Sequence, residues 1–274
     1  MPGLVPGMCV LEPTSQTPPG PLSYNPAMTT RERADRLLVA RGLFESRARA
    51  QAAIAAGLVT ADGVPVRKAS DAISSAAVIS AAPEHPYVSR GGVNLAAALD
   101  HFMLDVKGSI CLDVGASTGG FTEVLLQRGA NYVCAVDVGT GQFHERLQGR
   151  DDILLIEQTD IRTLDPSRLL TRLPALPDFA TVDVSFISLK LVLPAVSKLL
   201  AQRAKILALI KPQFEADRRH SKKGIVRDEA VHKMICEDIG AVIASLGWRV
   251  GGVVPSAILG GDGNREFFIE AERD

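Results

Sequence analysis

The stretch Ile110-Cys-Leu-Asp-Val-Gly-Ala-Ser-Thr-Gly-Gly-Phe121 constrains this chain more than any other. The apolar run Ile110 to Val114 suits a central parallel strand. It leads directly into Gly115, Gly119 and Gly120, where the backbone can turn sharply and approach a ligand closely. A helix is predicted from about Phe121, so its unpaired N–H groups face whatever lies in the turn. Strand, glycine turn and helix in that order make a cradle for a nucleotide-like cofactor. The spacing is not Gly-x-Gly-x-x-Gly, the pattern that leaves room for a pyrophosphate, and this argues against NAD.

Acids follow the next two apolar runs. Asp137 ends Tyr132 to Val136, where a carboxylate can accept hydrogen bonds from both hydroxyls of a ribose, and Asp160 follows Ile153 to Ile156. With no phosphate-binding lysine in the turn, this pattern fits S-adenosylmethionine, which carries a ribose, an adenine amine and a sulfonium cation but no phosphate. The candidate cofactor-binding residues are Asp113, Gly115, Ala116, Ser117, Thr118, Gly119, Gly120, Phe121, Asp137 and Asp160. Taken singly, Asp137 and Asp160 also read as ordinary polar strand ends. Gly115-x-Ser117-x-Gly119 matches the nucleophile elbow of α/β-hydrolases as well. A serine hydrolase needs a histidine after the last strands, yet His85, His101, His144, His220 and His232 all precede the strand that starts at Trp248.

At 274 residues, 46% hydrophobic and 22% charged, the chain is large enough for one substantial core plus a small module. No apolar run reaches membrane-spanning length, and no amphipathic membrane-inserting stretch stands out. The net charge of −1 hides an asymmetry, because Thr29 to Lys68 holds eight Lys or Arg against four Asp or Glu. The front module is therefore basic and suits an anionic partner. Cys9, Cys111, Cys134 and Cys236 show no Cys-x-x-Cys spacing, so neither zinc nor any other metal is expected, and a reducing cytoplasm is the natural compartment. Residues 1–28 carry seven of the sixteen prolines; this extension is expected to be disordered or not native, with Met28 as the true start.

From Arg31 a short helix is predicted, with Leu37 and Leu38 inward and Gly42 as its stop. A second follows, capped by Ser46, with Ala48, Ala52 and Ile54 as its apolar side and Gly57 as its end. A hairpin across Ala61-Asp-Gly63 completes the module. Two short helices and a hairpin, with Arg33, Arg36, Arg47 and Arg49 on the exposed side, resemble the RNA-binding domain named after small-subunit ribosomal protein S-four. The resemblance implies an S-four domain over 29–80 whose arginines contact phosphates and position RNA. A merely solvated charged face is the alternative. The prolines of 81–92 mark an extended linker, and the catalytic domain is expected over 93–274.

Beyond the cradle, strands and helices alternate: Phe179 to Val184, a helix near Leu189 to Leu200, Ile206 to Ile210, a helix near Asp228 to Leu246, Trp248 to Val254, and Glu266 to Glu270. The fold class is therefore α/β, a Rossmann-like, largely parallel doubly wound sheet with a small N-terminal α+β domain. Ligands of such sheets lie beyond the carboxyl ends of the strands. Asp183 and Lys211 fall at two of those ends, and Glu266 opens the last strand. A lysine directly after a buried strand, with a carboxylate nearby, can serve as a base or stabilise a forming alkoxide. A structural ion-pair network is the plainer reading. The basic loop Asp217-Arg-Arg-His-Ser-Lys-Lys-Gly224 beside these ends offers Arg218, Arg219, Lys222 and Lys223 to substrate phosphates.

Five motifs then carry a resemblance that runs from about Arg31 to the C-terminus: Tyr87-Val-Ser-Arg-Gly-Gly92, Cys111 to Thr122, Asp183-Val-Ser-Phe-Ile-Ser-Leu189, Ile210-Lys-Pro-Gln-Phe-Glu215 and Gly263-Asn-x-Glu-Phe267. Together they resemble the TlyA-type (haemolysin A-like) ribose 2′-O-methyltransferases, whose catalytic domain is similar to FtsJ-type RNA methyltransferases. The resemblance implies S-adenosylmethionine-dependent methylation of ribosomal RNA, with ribosomal RNA or subunits as partner and no membrane. It also implies a Lys-Asp-Lys-Glu set around the acceptor hydroxyl. Asp183, Lys211 and Glu266 match its last three members. Asn94 stands where the first lysine is usual; it can donate a hydrogen bond but brings no positive charge. A slower enzyme, a cation supplied by Lys190, Lys222 or Arg90, and an RNA-binding protein that has lost catalysis all remain open. Arg90 is also a candidate RNA contact.

Overall fold

The computed structural model describes residues 30–81, 85–217, 220, 224–260 and 263–274, with Arg168 described in its backbone alone. The expectations placed on residues 1–28 and Met28, and on Arg218, Arg219, Lys222 and Lys223, lie outside the described residues. The chain forms two compact units, 1–84 and 85–274.

The first unit contains β1 (Arg31–Arg33), α1 (Ala34–Ala40), α2 (Arg47–Ala55), β2 (Val59–Ala61), β3 (Val64–Pro65), β4 (Ala72–Ser74) and β5 (Ile79–Ala81). The helix expected from Arg31 begins three residues later, because Arg31 to Arg33 pair with Ser74 to Ala72 as an antiparallel ribbon. Leu37 and Leu38 point inward as expected. In α2 the buried positions are Ala50, Ala53 and Ile54, whereas Ala48 is exposed. The helix is rotated from the expected face because tertiary packing, not the weak apolar pattern of RARAQAAIA, selects which alanines are covered. Ser46 caps α2, its Oγ accepting the Arg49 N–H at 3.3 Å. The β2–β3 hairpin turns through Asp62 and Gly63 at φ 51° and 77°, the paired positive φ of a type I′ turn.

The second unit holds α3 (Arg90–His101), β6 (Ile110–Val114), α4 (Gly120–Gln127), β7 (Tyr132–Val136), β8 (Ile153–Ile156), α5 (Pro166–Leu170), β9 (Phe179–Val182), α6 (Leu189–Leu199), β10 (Ala204–Ile210), α7 (Pro212–Glu215), α8 (Glu229–Ser245), β11 (Arg249–Pro255) and β12 (Phe267–Arg273). Helix α3 thus starts inside the stretch read as linker. The seven strands are ordered β11-β12-β10-β9-β6-β7-β8. β8, β7, β6, β9 and β10 run parallel, while β12 lies antiparallel between β10 and β11. The order reverses at β6, which pairs β7 on one side and β9 on the other. That reversal opens a crevice at the carboxyl ends of β6 and β9. Apolar layers cover both faces: Leu112, Cys134, Ala180 and Ile206 pack on one side, and Cys111, Val133, Phe179, Leu207 and Phe268 on the other. Such two-sided burial explains why these strands read as continuous apolar runs.

Candidate functional site

A cleft of about 620 Å³ opens at the switch point, walled by the carboxyl ends of β6, β7 and β9 and by the segments that follow β8 and β9. Gly115, Ser117, Asp137, Asp160 and Asp183 all face it. Gly115 sits at φ +83°, and a Cβ there would be driven into the Asp183 carbonyl, so only glycine lets β6 turn against β9. Ser117 also takes a positive φ, 47°, stabilised by its N–H, which donates to Asp137 Oδ2 at 2.7 Å. Gly119, at φ +87°, has Leu147 and Phe143 where a side chain would go.

Asp137 acts on the backbone of both loops, accepting from Ser117 N–H and, at 2.6 Å, from Gly139 N–H. Asp160 holds the Arg162 guanidinium and accepts the Arg162 N–H, and this side-chain pairing keeps its carboxyl below the usual range. The remaining candidates stand behind the cleft wall. Asp113 is fully buried, accepting from Thr122 Oγ1 at 2.6 Å and Thr181 Oγ1 at 2.9 Å, and burial pushes its carboxyl up to about 6. Phe121 is buried against Phe268, Ala116 is buried beside Phe143, and Gly120 is packed against Ser89. These residues shape the turn from behind, and Thr118 serves it through its carbonyl, which accepts the His144 N–H.

At the rim, Lys211 Nζ lies 2.5 Å from Asp183 Oδ1 and donates to Ser185 Oγ at 3.0 Å. Lys211 follows β10 directly, precedes Pro212 at the start of α7, and is only 13% exposed in its side chain. Glu266 is buried on the neighbouring edge, accepting from Gln213 Nε2 at 3.1 Å. Burial raises its pKa; the Gln213 hydrogen bond and the charges of Lys211 and Arg90 oppose the rise, and Asp183 adds to it. Asn94 is buried in α3, its Oδ1 accepting the Ile258 N–H at 3.1 Å. Of the cations considered for its missing charge, Lys190 is paired with Asp238 at 3.0 Å, while Arg90 is exposed within the field of Glu266.

Several site residues escaped the sequence reading. Ser185, Phe186 and Gln142 lie in loops, which have no period, and Arg162 and Gln213 lie in single helical turns too short to show one. Phe186 is the most marked: the residue is 91% exposed at the cleft, its φ is +65°, and its ring stands 5.0 Å from the ring of Phe214. The motifs Asp183-Val-Ser-Phe-Ile-Ser-Leu189 and Ile210-Lys-Pro-Gln-Phe-Glu215 carried the available signal for Ser185, Phe186 and Gln213. Ser117, the elbow candidate, places its hydroxyl 3.3 Å from Gln142 Oε1.

In the first unit the arginines do not act as four equivalent surface charges. Asp35, wholly buried, binds Arg33 at 3.1 Å, Arg47 at 2.7 Å and Gln51 at 2.9 Å. Arg36 is exposed and Arg49 partly so. No helix among the described residues is long and apolar enough to cross a membrane, and no group of three or more His, Cys, Asp or Glu among them could hold a metal.

Comparison with known proteins matches an FtsJ-like methyltransferase family over residues 87–273 and an S4 domain over residues 32–79. A candidate rRNA methyltransferase of Bacillus subtilis, YqxC, is 42% identical over 242 residues, covering 87% of this chain and 85% of its own. The 16S/23S rRNA (cytidine-2′-O)-methyltransferase TlyA of Mycobacterium tuberculosis is 40% identical over 245 residues, 88% of this chain and 90% of its own. The solved structure of a candidate hemolysin from Streptococcus thermophilus superposes with a TM-score of 0.69 at 42% identity, covering 89% of each chain. The strand order, the glycine turn and these matches agree: the chain belongs to the FtsJ-like methyltransferase family, in its TlyA-type branch with an S4 domain ahead of the methyltransferase sheet.

Proposed function

We propose that this protein methylates a ribose 2′-hydroxyl of ribosomal RNA with S-adenosylmethionine as donor, in the cytoplasm. The observation that carries the reading is the Lys211–Asp183 pair standing at the rim of the cleft that the glycine turn builds. The cleft lining suits that donor: Asp137, Asp160 and Asp183 outnumber Arg162, which is itself paired, so a sulfonium cation and a ribose fit there better than a pyrophosphate. When bound, the donor supplies an electrophilic methyl group. Gly115, Ser117, Asp137 and Asp160 would hold it, with Asp113 bracing the turn from beneath.

Lys211 Nζ, aimed by Asp183 and Ser185, donates a hydrogen bond to the acceptor oxygen and stabilises its developing negative charge, while the hydroxyl proton passes to solvent water at the rim. Glu266 completes the carboxylate frame around the lysine. Positioning supplies much of the rate, since reacting atoms held in line convert an encounter into a unimolecular step. Phe186, an exposed residue whose ring packs against Phe214, presents an aromatic surface on which an unstacked base can lie. The front module, taken as 29–80, and Arg90 bind RNA phosphates, and the 93–274 domain does the chemistry.

Ribosomal RNA, isolated subunits and intact ribosomes incubated with methyl-labelled S-adenosylmethionine test the reading, followed by nucleoside mapping. Label in a 2′-O-methylnucleoside is expected; label confined to bases, or none in any substrate, would overturn it.

A further inference from the structure

We infer that Asn94 is a positioning residue for Glu266: it fixes the segment Ser256–Gly260 that forms one wall of the Glu266 carboxylate, and it does not touch the acceptor. Asn94 projects from α3 on the side that buries Leu95, Ala98 and Leu99, and is itself 7% exposed. Its Oδ1 accepts the Ile258 N–H at 3.1 Å. Two residues on, Gly260 lies against Glu266, and a Cβ there would come 2.5 Å from Glu266 Oε1. The same segment is joined to Glu266 at its other end, where Ser256 N–H donates to the Glu266 carbonyl at 2.8 Å.

A second buried asparagine ties down the Gly260 end of the segment. Asn264, 1% exposed, accepts the Val226 N–H at 3.0 Å through Oδ1 and donates to the Gly224 carbonyl at 2.9 Å through Nδ2, while its own carbonyl accepts the Gly260 N–H at 2.9 Å. Glu266 therefore lies against a segment tethered by Asn94 at Ile258 and by Asn264 at Gly260, and Gln213 supplies its direct hydrogen bond. A lysine at position 94 would have no acceptor oxygen for Ile258, so in this chain the residue gives up charge at the acceptor and gains a fixed wall for the carboxylate. A buried backbone N–H whose acceptor is deleted must find water or move. Movement of Ser256–Gly260 then loosens Glu266.

The inference rests on the methyl-transfer reading for its kinetic readout, and wild-type activity on ribosomal RNA tests that reading separately. With wild type active, Asn94→Ala is expected to lower kcat about tenfold, as misplaced supporting groups do, and to leave the RNA KM and the S-adenosylmethionine Kd within about twofold. Amide exchange across 256–260 should accelerate in the same variant. In a Glu266→Gln background, Asn94→Ala should cost less than about twofold, because two residues acting through one group are not additive. Gly260→Ala, which crowds Glu266 and leaves Asn94 intact, should reproduce the kcat loss. An equal tenfold loss in both backgrounds, or a kcat loss with exchange at 256–260 unchanged, would place Asn94 on the substrate and overturn the inference; an unchanged kcat would do so as well. If Asn94→Ala does not fold, Asn94→Asp, which keeps the acceptor oxygen, must retain wild-type exchange at 256–260 for the inference to stand.

Discussion

Lys211 Nζ and Asp183 Oδ1 meet at 2.5 Å although twenty-seven residues and one helix separate them along the chain, because β9 and β10 are parallel neighbours that end side by side. The parallel register brings both side chains to one rim, and Ser185 fixes the ammonium from a second direction at 3.0 Å. A lysine held by two partners loses rotamer freedom before any substrate arrives, which is what preorganised charge stabilisation requires.

Lys211→Ala should therefore lower methyl transfer by about 10²-fold or more, the ordinary range for a positioned group that stabilises developing negative charge. Cofactor affinity should stay within a few-fold, since Lys211 stands at the rim and the glycine turn forms the bed of the cleft. Single-turnover methylation together with calorimetry separates the two; retained turnover would remove Lys211 from its role.

Gly115→Ala should do the opposite and strike binding first. The new Cβ would enter the space of the Asp183 carbonyl at a φ of +83°, so β6 and β9 must part or the turn must reshape. A loss of about 1–3 kcal/mol in stability is expected from the strain. Thermal unfolding and the Kd for S-adenosylmethionine should both worsen.

The acid limb of kcat against pH should lie above the ordinary glutamate range. Burial raises the Glu266 pKa, so the ionised form that faces Lys211 is reached only at higher pH than for an exposed carboxylate. Glu266→Gln should remove this limb, and a limb that persists unchanged would assign it to another group.

Asp113 makes a stability prediction. Its folded carboxyl titrates at about 6, above the ordinary 3.8, so the folded state holds the proton more tightly than the unfolded chain. The favourable contribution is full below pH 4 and lost as pH rises through 6, on the order of 3 kcal/mol across that window. Relative to wild type, Asp113→Asn should thus gain stability between pH 4 and 6 and hold a constant difference above. Denaturant midpoints at a series of pH values check this.

In the first unit, Asp35→Ala should destabilise more than any single arginine change there. The carboxylate is wholly buried and is held well below the usual range by hydrogen bonds, first to Arg33 and then to Arg47. Removing it strands Gln51 as well, and about 2 kcal/mol is expected, less than for a fully buried pair because both arginines remain half exposed. Arg36→Ala, by contrast, should leave unfolding unchanged and flatten the salt dependence of RNA binding.

The sequence by itself determined the sheet and its ligand-binding end. Buried parallel strands must be largely apolar, so Ile110 to Val114, Tyr132 to Val136 and Ile206 to Ile210 announce themselves, and the residues that follow them, Gly115, Asp137 and Lys211, lie at the ligand-binding end. Motif likeness added the chemistry. Only the tertiary structure decided which residues face the cleft: Asp113 and Phe121 belong to the same motif as Gly115 yet stand behind it, because Thr122 and Thr181 hold the Asp113 carboxylate in the interior and Phe121 packs against Phe268. It also decided that Arg33 and Arg47 close on Asp35, that Ala50 and not Ala48 is covered, and that Asn94 meets Ile258, 164 residues later. Such contacts depend on how elements stack, and a one-dimensional pattern records periodicity along the chain but not proximity across it.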